Sequence, residues 1–143
     1  MAIAADRAKV RAIGSVTMVA GLAFGIAGVG TWVAVRSKLA AERITVSENA
    51  RMMVGAPVVD PISAFVEADT ISTNTLRATG GKTFAELPQD DDRRNTAMTG
   101  SFLRASLFTS VIAFGVGLFA SAVGVMAILV GWGLRLSAAK PDN

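Results

Sequence analysis

The chain has 143 residues, 52% of them hydrophobic and only 17% charged, below the roughly 25% usual in a soluble domain. Its formal charge is +3, but the basic residues are scattered and no basic cluster is interleaved with aromatics, which argues against a nucleic-acid partner. There is no Cys and no His, so disulfides, thiolate chemistry and the commonest neutral-pH base and metal ligand are all excluded.

The chain opens with MAIAADRAKVR, residues 1–11, a short tail holding Arg7, Lys9 and Arg11. Residues 12–35 follow without a charge, twenty-four in all, and end at Arg36. That length predicts a membrane-crossing helix, longer than the 7 to 15 residues or so of a secretory signal core. LAAE at residues 39–42 does offer small residues after the run, so cleavage is the competing expectation. Lipid anchoring has no support: a lipobox Cys is missing, and Ala2 stands where myristoylation needs Gly.

Residues 36–104 form a polar connector with room for a small folded unit. Residues 44–46 have the composition of a brief strand or an extended lead. In DPISAFVEADTISTNTLRATGG, Asp60 is expected to cap a helix, Pro61 suits its first turn, and Gly80 or Gly81 terminates it. Ile62, Phe65, Val66 and Ala68 are expected to form its apolar face. Thr83 and Glu86 have capping-box spacing before the short FAEL, and Pro88 ends that option. DDDRRNTAM, residues 90–98, puts acid at the start and arginine a turn later, which favours a helical lead into the next segment. A connector this small is expected to lean on a membrane surface or on another chain.

Residues 105–134 contain no charge over thirty positions, about 45 Å of helix at about 1.5 Å per residue, where a hydrocarbon core needs roughly 30 Å. This predicts a second membrane helix including an interfacial lead. Arg104 can keep its stem in apolar surroundings while its guanidinium reaches water. Trp32 and Trp132, near the ends of the two runs, read with Arg104 as interface anchors. Residues 135–143 form the closing tail.

Both runs are rich in small residues that let helices approach closely. Gly21 and Gly25 form GxxxG in the first, with Gly14, Gly28 and Gly30 adding small surface. In the second, Ala113, Gly117 and Ser121 recur every four residues, and Ala120 and Gly124 make a neighbouring pair. The expected fold is therefore an all-α membrane protein, a two-helix transmembrane hairpin with a small, mainly helical extramembrane connector. The terminal flanks carry five basic residues in a short length and the connector nine over sixty-nine, a density that favours both termini in the cytoplasm.

Across TWVAV, ITVSENA, VVDPISAFVEADTI, LRATGGKTFAEL and TAMTGSFLRASLFTS the sequence resembles a small two-span membrane protein family of actinobacteria, over nearly the whole chain. Members are often labelled as the small subunit of an aromatic ring-opening dioxygenase. Such chemistry needs a redox metal, commonly iron held by His and carboxylate, and the chain supplies no His. The resemblance implies a cell-envelope location with the connector outside the cytoplasm, and no catalytic residues. The carboxylates offer no metal site either: Asp90, Asp91 and Asp92 lack the alternating ligand order of an EF-hand, and Asp60, Glu67 and Asp69 read as caps and surface charge. TGGK is not followed by the Ser or Thr of a phosphate-binding loop.

No catalytic, cofactor-binding or metal residues are therefore expected, and no cofactor. The leading expectation is a noncatalytic accessory or assembly subunit of a cell-envelope or respiratory membrane complex. Its partners would be membrane lipids and either a larger membrane protein or further copies of itself. The alternatives are a small transporter or channel component, and a noncatalytic small subunit of a membrane enzyme. Neither run carries the midplane charge or interrupted half-helices that ion coupling calls for.

Overall fold

The computed structural model describes residues 2–139, and the side chains from residue 6 onward. Met1, residues 140–143 and the side chains of residues 2–5 lie outside the described residues, and with them Lys140 of the closing tail. The fold is all-α: α1 is Ala2–Glu42, α2 is Pro61–Ala78 and α3 is Arg93–Ser137. Among the described residues there is no strand, only one isolated antiparallel bridge, Thr45 to Pro57. The chain divides into two compact units, one built from residues up to Trp32 and from Val116 onward, the other from Val33–Gly115.

In the first unit, α1 and α3 run antiparallel. The positions that turn inward are mostly glycines, and the large apolar side chains point away from the partner helix. Val16, Val19, Ile26, Val116, Leu118 and Phe119 all remain well exposed, Phe119 at 71%. Hydroxyls on these helices are satisfied by the helix itself: Thr17 donates to the Ile13 carbonyl, Thr31 to Ala27, Thr109 to Ala105 and Ser121 to Gly117, each at 2.8 to 2.9 Å. By length and composition α1 and α3 are both long and apolar enough to cross a membrane.

The second unit has a small core. Leu39 comes from α1, Val46 and Val58 from the arm after it, Ala64 and Ala68 from α2, Leu87 from the loop, and Ala97, Leu107 and Phe114 from α3. The connector thus leans on the inner ends of its own two long helices. Arg43, with φ of 52°, ends α1 in the left-handed region and turns the chain into the arm. The arm folds back on itself: the Val46 amide donates to Ala56 and the Val58 amide to Ile44, both at 2.9 Å. One bridge, rather than a strand, is all that forms, because Met53 and Gly55 both take positive φ and curl the tip after a few residues.

The start of α2 follows from its sequence. The Asp60 carboxylate accepts from the amides of Ile62 and Ser63 at 2.9 and 3.0 Å, and the Ser63 hydroxyl oxygen accepts in return from the Asp60 amide at 3.3 Å. This is a capping box, with Pro61 at the first helical position. At the far end, Gly80 with φ of 69° and Gly81 with φ of 82° let the Gly80 amide donate to Arg77 and the Gly81 amide to Leu76, closing a Schellman turn. Asp60→Ala is expected to lower the unfolding free energy of this unit by about 1 kcal/mol. Chemical denaturation in a mild detergent checks it.

The face that α2 buries differs from the expected one. Ser63, Ala64, Glu67, Ala68 and Thr70 are inside, whereas Ile62 and Phe65 are 62% and 52% exposed. Small side chains win the inner face because α2 lies very close to α3: a Cβ on Gly100 would fall on the Thr75 side chain. Phe65 instead packs edge-on against Phe108 of α3, with centroids 5.8 Å apart. The FAEL segment also differs. Thr83 and Glu86 do bond, the carboxylate accepting from the Thr83 amide and hydroxyl at 2.8 Å, but they close a turn rather than start a helix. Arg94 holds that turn, donating to the carbonyls of Phe84 and Leu87 and lying 4.1 Å from the Phe84 ring centroid. Finally, α3 starts at Arg93, so Asp90, Asp91 and Asp92 stand before the helix and not in its first turn.

Candidate functional site

Along the helix pair of the first unit the two backbones approach very closely at three pairs of glycines. A Cβ built on Gly14 would fall 2.7 Å from the Gly131 carbonyl oxygen, and one on Gly131 would fall 2.5 Å from that of Gly14. Gly21 and Gly124 face each other in the same way, 2.6 Å in both directions. Gly28 and Gly117 form the third pair, with 2.9 Å from Gly117 to the Gly28 carbonyl and a still closer approach in reverse. Real Cβ atoms do not come this near a backbone oxygen. Only glycine hydrogens can occupy these places, and they point at carbonyls across the seam, as weak Cα–H donors do between closely packed helices.

The three glycines of α1 are spaced by seven, as are the three of α3. With Met18 and Gly25, and with Ser121 and Ile128, they complete an alternating three-and-four stripe of buried and half-buried positions on each helix. That is the heptad pattern of a left-handed helix pair. The four-residue rows noticed in the sequence cross this stripe rather than follow it. Gly21, Gly28, Gly117 and Gly124 lie on the seam with their missing side chains aimed at the opposite backbone. Gly25 contributes its own backbone, since its amide and Cα lie 2.6 and 2.9 Å from a Cβ on Gly124, but a Cβ on Gly25 itself would meet nothing within 4 Å. Ser121 sits against Gly28. Ala113 and Ala120 are half-buried to one side.

Trp132 is 56% exposed and Trp32 half-buried. The Gly14 to Gly131 pair was not picked out from the sequence, although the seven-residue spacing would have revealed it. Beside the seam, Leu22, Gly25, Ile26, Val29, Val125 and Ile128 line an open, wholly apolar groove of about 510 Å³.

In the second unit the sequence also undervalued Glu67. It is only 4% exposed, and its carboxylate accepts from the Ser47 amide and the Ser47 hydroxyl, both at 2.7 Å. It therefore clamps the arm onto α2 and is not a surface charge. Asp69, two residues on, is exposed. Arg104 lies over the Phe108 ring at 5.5 Å and donates to Ser72 at 3.4 Å.

The remaining carboxylates act as local ties. The Arg93 side chain, and then its amide, hold the Asp91 carboxyl down to about 2 from an ordinary 3.8. Hydrogen bonds from Thr83 hold Glu86 below its ordinary 4.5. At Asp60 burial pushes upward, but the bonds from Ser63 and Ile62 and the Arg36 charge outweigh it, and the carboxyl stays below 3.8. All three are depressed, so each contributes stability that is complete above its unfolded pKa and is lost as pH falls through its folded one. The protection of the Arg93 amide against hydrogen exchange is accordingly expected to fall away between about pH 4 and about pH 2. Asp91→Asn should remove that dependence, and an Asp91 midpoint near pH 4 would overturn it.

Among the described residues no group of three His, Cys, Asp or Glu side chains could hold a metal. No family model matches the chain, and neither a curated protein nor a solved structure does.

Proposed function

We propose that this chain is a two-span protein of the cell membrane, with both termini in the cytoplasm and the connector outside. In this reading it serves as a noncatalytic accessory or assembly subunit of a cell-envelope or respiratory membrane complex, as its resemblance to the actinobacterial two-span family implies. One observation carries the membrane part. In the first unit the buried positions are the six seam glycines, whereas the large Val, Ile, Leu and Phe side chains are mostly outside, the reverse of what water would select. In lipid that order is natural, because apolar side chains gain nothing by leaving the surface and close backbone contact supplies the attraction instead. Only 17% of the residues in the most apolar stretch of either long helix are buried, far fewer than a core helix of a soluble protein would bury. The self-bonded hydroxyls fit the same solvent, which offers no replacement partners. The assembly part rests on a helix pair that consumes its glycine seam internally and leaves an apolar outer surface in which the groove beside Gly25 lies open.

Carbonate extraction should leave the full-length chain in the membrane fraction, and its release would sink the membrane reading. For topology, the connector site must be chosen for exposure: Thr79 is fully buried, whereas Met52 is 55% exposed and Asp90 is exposed. A single Cys at Met52 or Asp90 should react with an impermeant maleimide in intact cells, and one at Asp6 only after lysis. The opposite pattern would invert the topology. Purification in mild detergent with mass spectrometry of stoichiometric partners tests the assembly role. A chain that is always recovered alone and monomeric would contradict it.

A further inference from the structure

In the second unit α2, the loop after it and α3 enclose a pocket of about 80 Å³ lined by Arg104, Lys82, Ser72, Thr75, Ser101 and Phe84 among others. Two cations and four hydroxyls line it together with Leu76, Phe84 and Ala97; of the hydroxyls, Ser101 already donates to the Ala97 carbonyl and Thr83 to Glu86, which leaves those of Ser72 and Thr75. Among the described residues neither cation has a carboxylate within ion-pair distance, the ion pairs there being Lys9 with Asp6 and Arg93 with Asp91. Two carboxylates, Asp91 and Glu86, feel the Lys82 charge without coming within ion-pair distance of it; Asp91 pairs with Arg93, and Glu86 is held by the Thr83 amide and hydroxyl. The guanidinium of Arg104 donates one hydrogen bond, at 3.4 Å to Ser72, and the rest of its fork is available.

The volume decides what fits. A single water takes about 30 Å³ of liquid and an organic cofactor needs roughly 300 Å³ or more, so this pocket suits one tetrahedral anionic group, with whatever carries that group lying outside it. Charge-assisted bonds from an Arg fork and an ammonium, with hydroxyl donors around them, are the chemistry of phosphate recognition. Arg104 is also the last charge before the thirty uncharged residues of α3. On the membrane reading above, on which the lipid source rests, that position is at the depth of the headgroups.

We infer that this pocket binds a phosphate group, and that the phosphate is that of an anionic phospholipid in the leaflet facing the connector. Lys82 and Arg104 neutralise it, Ser72 and Thr75 orient it, and the acyl chains run outward along α3.

The test uses the full-length chain in neutral-detergent micelles and native mass spectrometry with phosphatidylglycerol or zwitterionic phosphatidylcholine. Phosphatidylglycerol should be retained preferentially, and Lys82→Gln and Arg104→Gln should each weaken that retention by about tenfold. Arg104→Lys should keep most of it, and Arg51→Gln, which removes an equal charge from the exposed arm, should change nothing. Lys82 is exposed and accepts no packing role, so its variant keeps the experiment decisive if Arg104→Gln disturbs the contact with Phe108. Equal retention by parent and both Gln variants would overturn the site, as would a loss in Arg51→Gln of the same size. Inorganic phosphate displacing the lipid at equal phosphate concentration would overturn the lipid source. Release of the chain from membranes by carbonate would instead overturn the membrane reading, and the micelle measurement would still decide whether the pocket takes phosphate.

Discussion

Gly124→Leu is expected to force the helix pair of the first unit apart, while Gly25→Leu, one turn away on the facing helix, leaves it intact. A Cβ at position 124 would lie 2.6 Å from both the Gly21 carbonyl oxygen and the Gly25 amide, and 2.9 Å from the Gly25 Cα. Every one of those atoms is backbone, so no rotamer change relieves the clash. The helices must separate, and the dispersion contacts along the seam weaken together because they fall steeply with distance. We expect a loss of about 3 kcal/mol, the upper end for an overpacked contact, read as the unfolding free energy in mild detergent. Gly25→Leu should cost little, since its side chain enters the open groove among Leu22, Ile26 and Val125. Leu118→Ile, on the exposed side, serves as the control. Equal stability of Gly124→Leu and Gly25→Leu would refute the seam. If the groove is where a partner lies, Gly25→Leu should also lose the native complex while the chain itself stays folded.

Glu67→Ala carries the next largest effect. The substitution removes the acceptor of two short charge-assisted hydrogen bonds from Ser47 and leaves the partly buried Ser47 amide without a partner. A bond to a charged group is worth about 1.5 to 3 kcal/mol, and an orphaned buried donor costs about as much as the bond it loses. We expect about 3 kcal/mol off the stability of the second unit, with Glu67→Gln losing roughly a third of that because its amide oxygen still accepts. The signature is local. The arm of residues 43–58 should open ahead of the rest, so that trypsin cleaves after the exposed Arg51 and the Ser47 amide exchanges faster. An arm that keeps its protection in Glu67→Ala would show that Val46 and Val58 hold it without the clamp.

The extent of each long helix's uncharged core and the two ends of α2 were legible because each rests on local chemistry. An unbroken apolar run, Asp60 before Pro61, and Gly80 with Gly81 act within a turn of themselves, and their hydrogen bonds can be named from the sequence. What was not legible depended on distance. The inner face of α2 is chosen by how closely Gly100 lets α3 approach, so Ala68 is buried as expected but Ala64 and Ser63 join it in place of Ile62 and Phe65, although hydrophobicity ranks them the other way. Glu67 looked like surface charge because its partner, Ser47, lies twenty residues back. At the seam the spacing differs from the four-residue rows of the sequence. Gly21 and Gly25 satisfy a four-residue motif, but helices that wind around each other repeat their contact every seven residues, and only that period sets Gly14, Gly21 and Gly28 opposite Gly131, Gly124 and Gly117.

The glycine seam also has a softness in one direction. Sliding α1 along α3 by one heptad, about 10 Å at 1.5 Å per residue, sets Gly14 against Gly124 and Gly21 against Gly117. The opposite slide sets Gly21 against Gly131 and Gly28 against Gly124. Either way two of the three pairings are made again with the same backbone atoms. Separation and rotation, by contrast, destroy all three at once. The pair is therefore stiff across its axis and softer along it, like a rack whose teeth mesh at more than one stop, with the third pairing and the core around Leu39, Leu107 and Phe114 favouring the present one. Spin labels on the exposed Leu22 and Leu129 would register a second stop as a second distance, and a single narrow distance would mean that one register is held throughout.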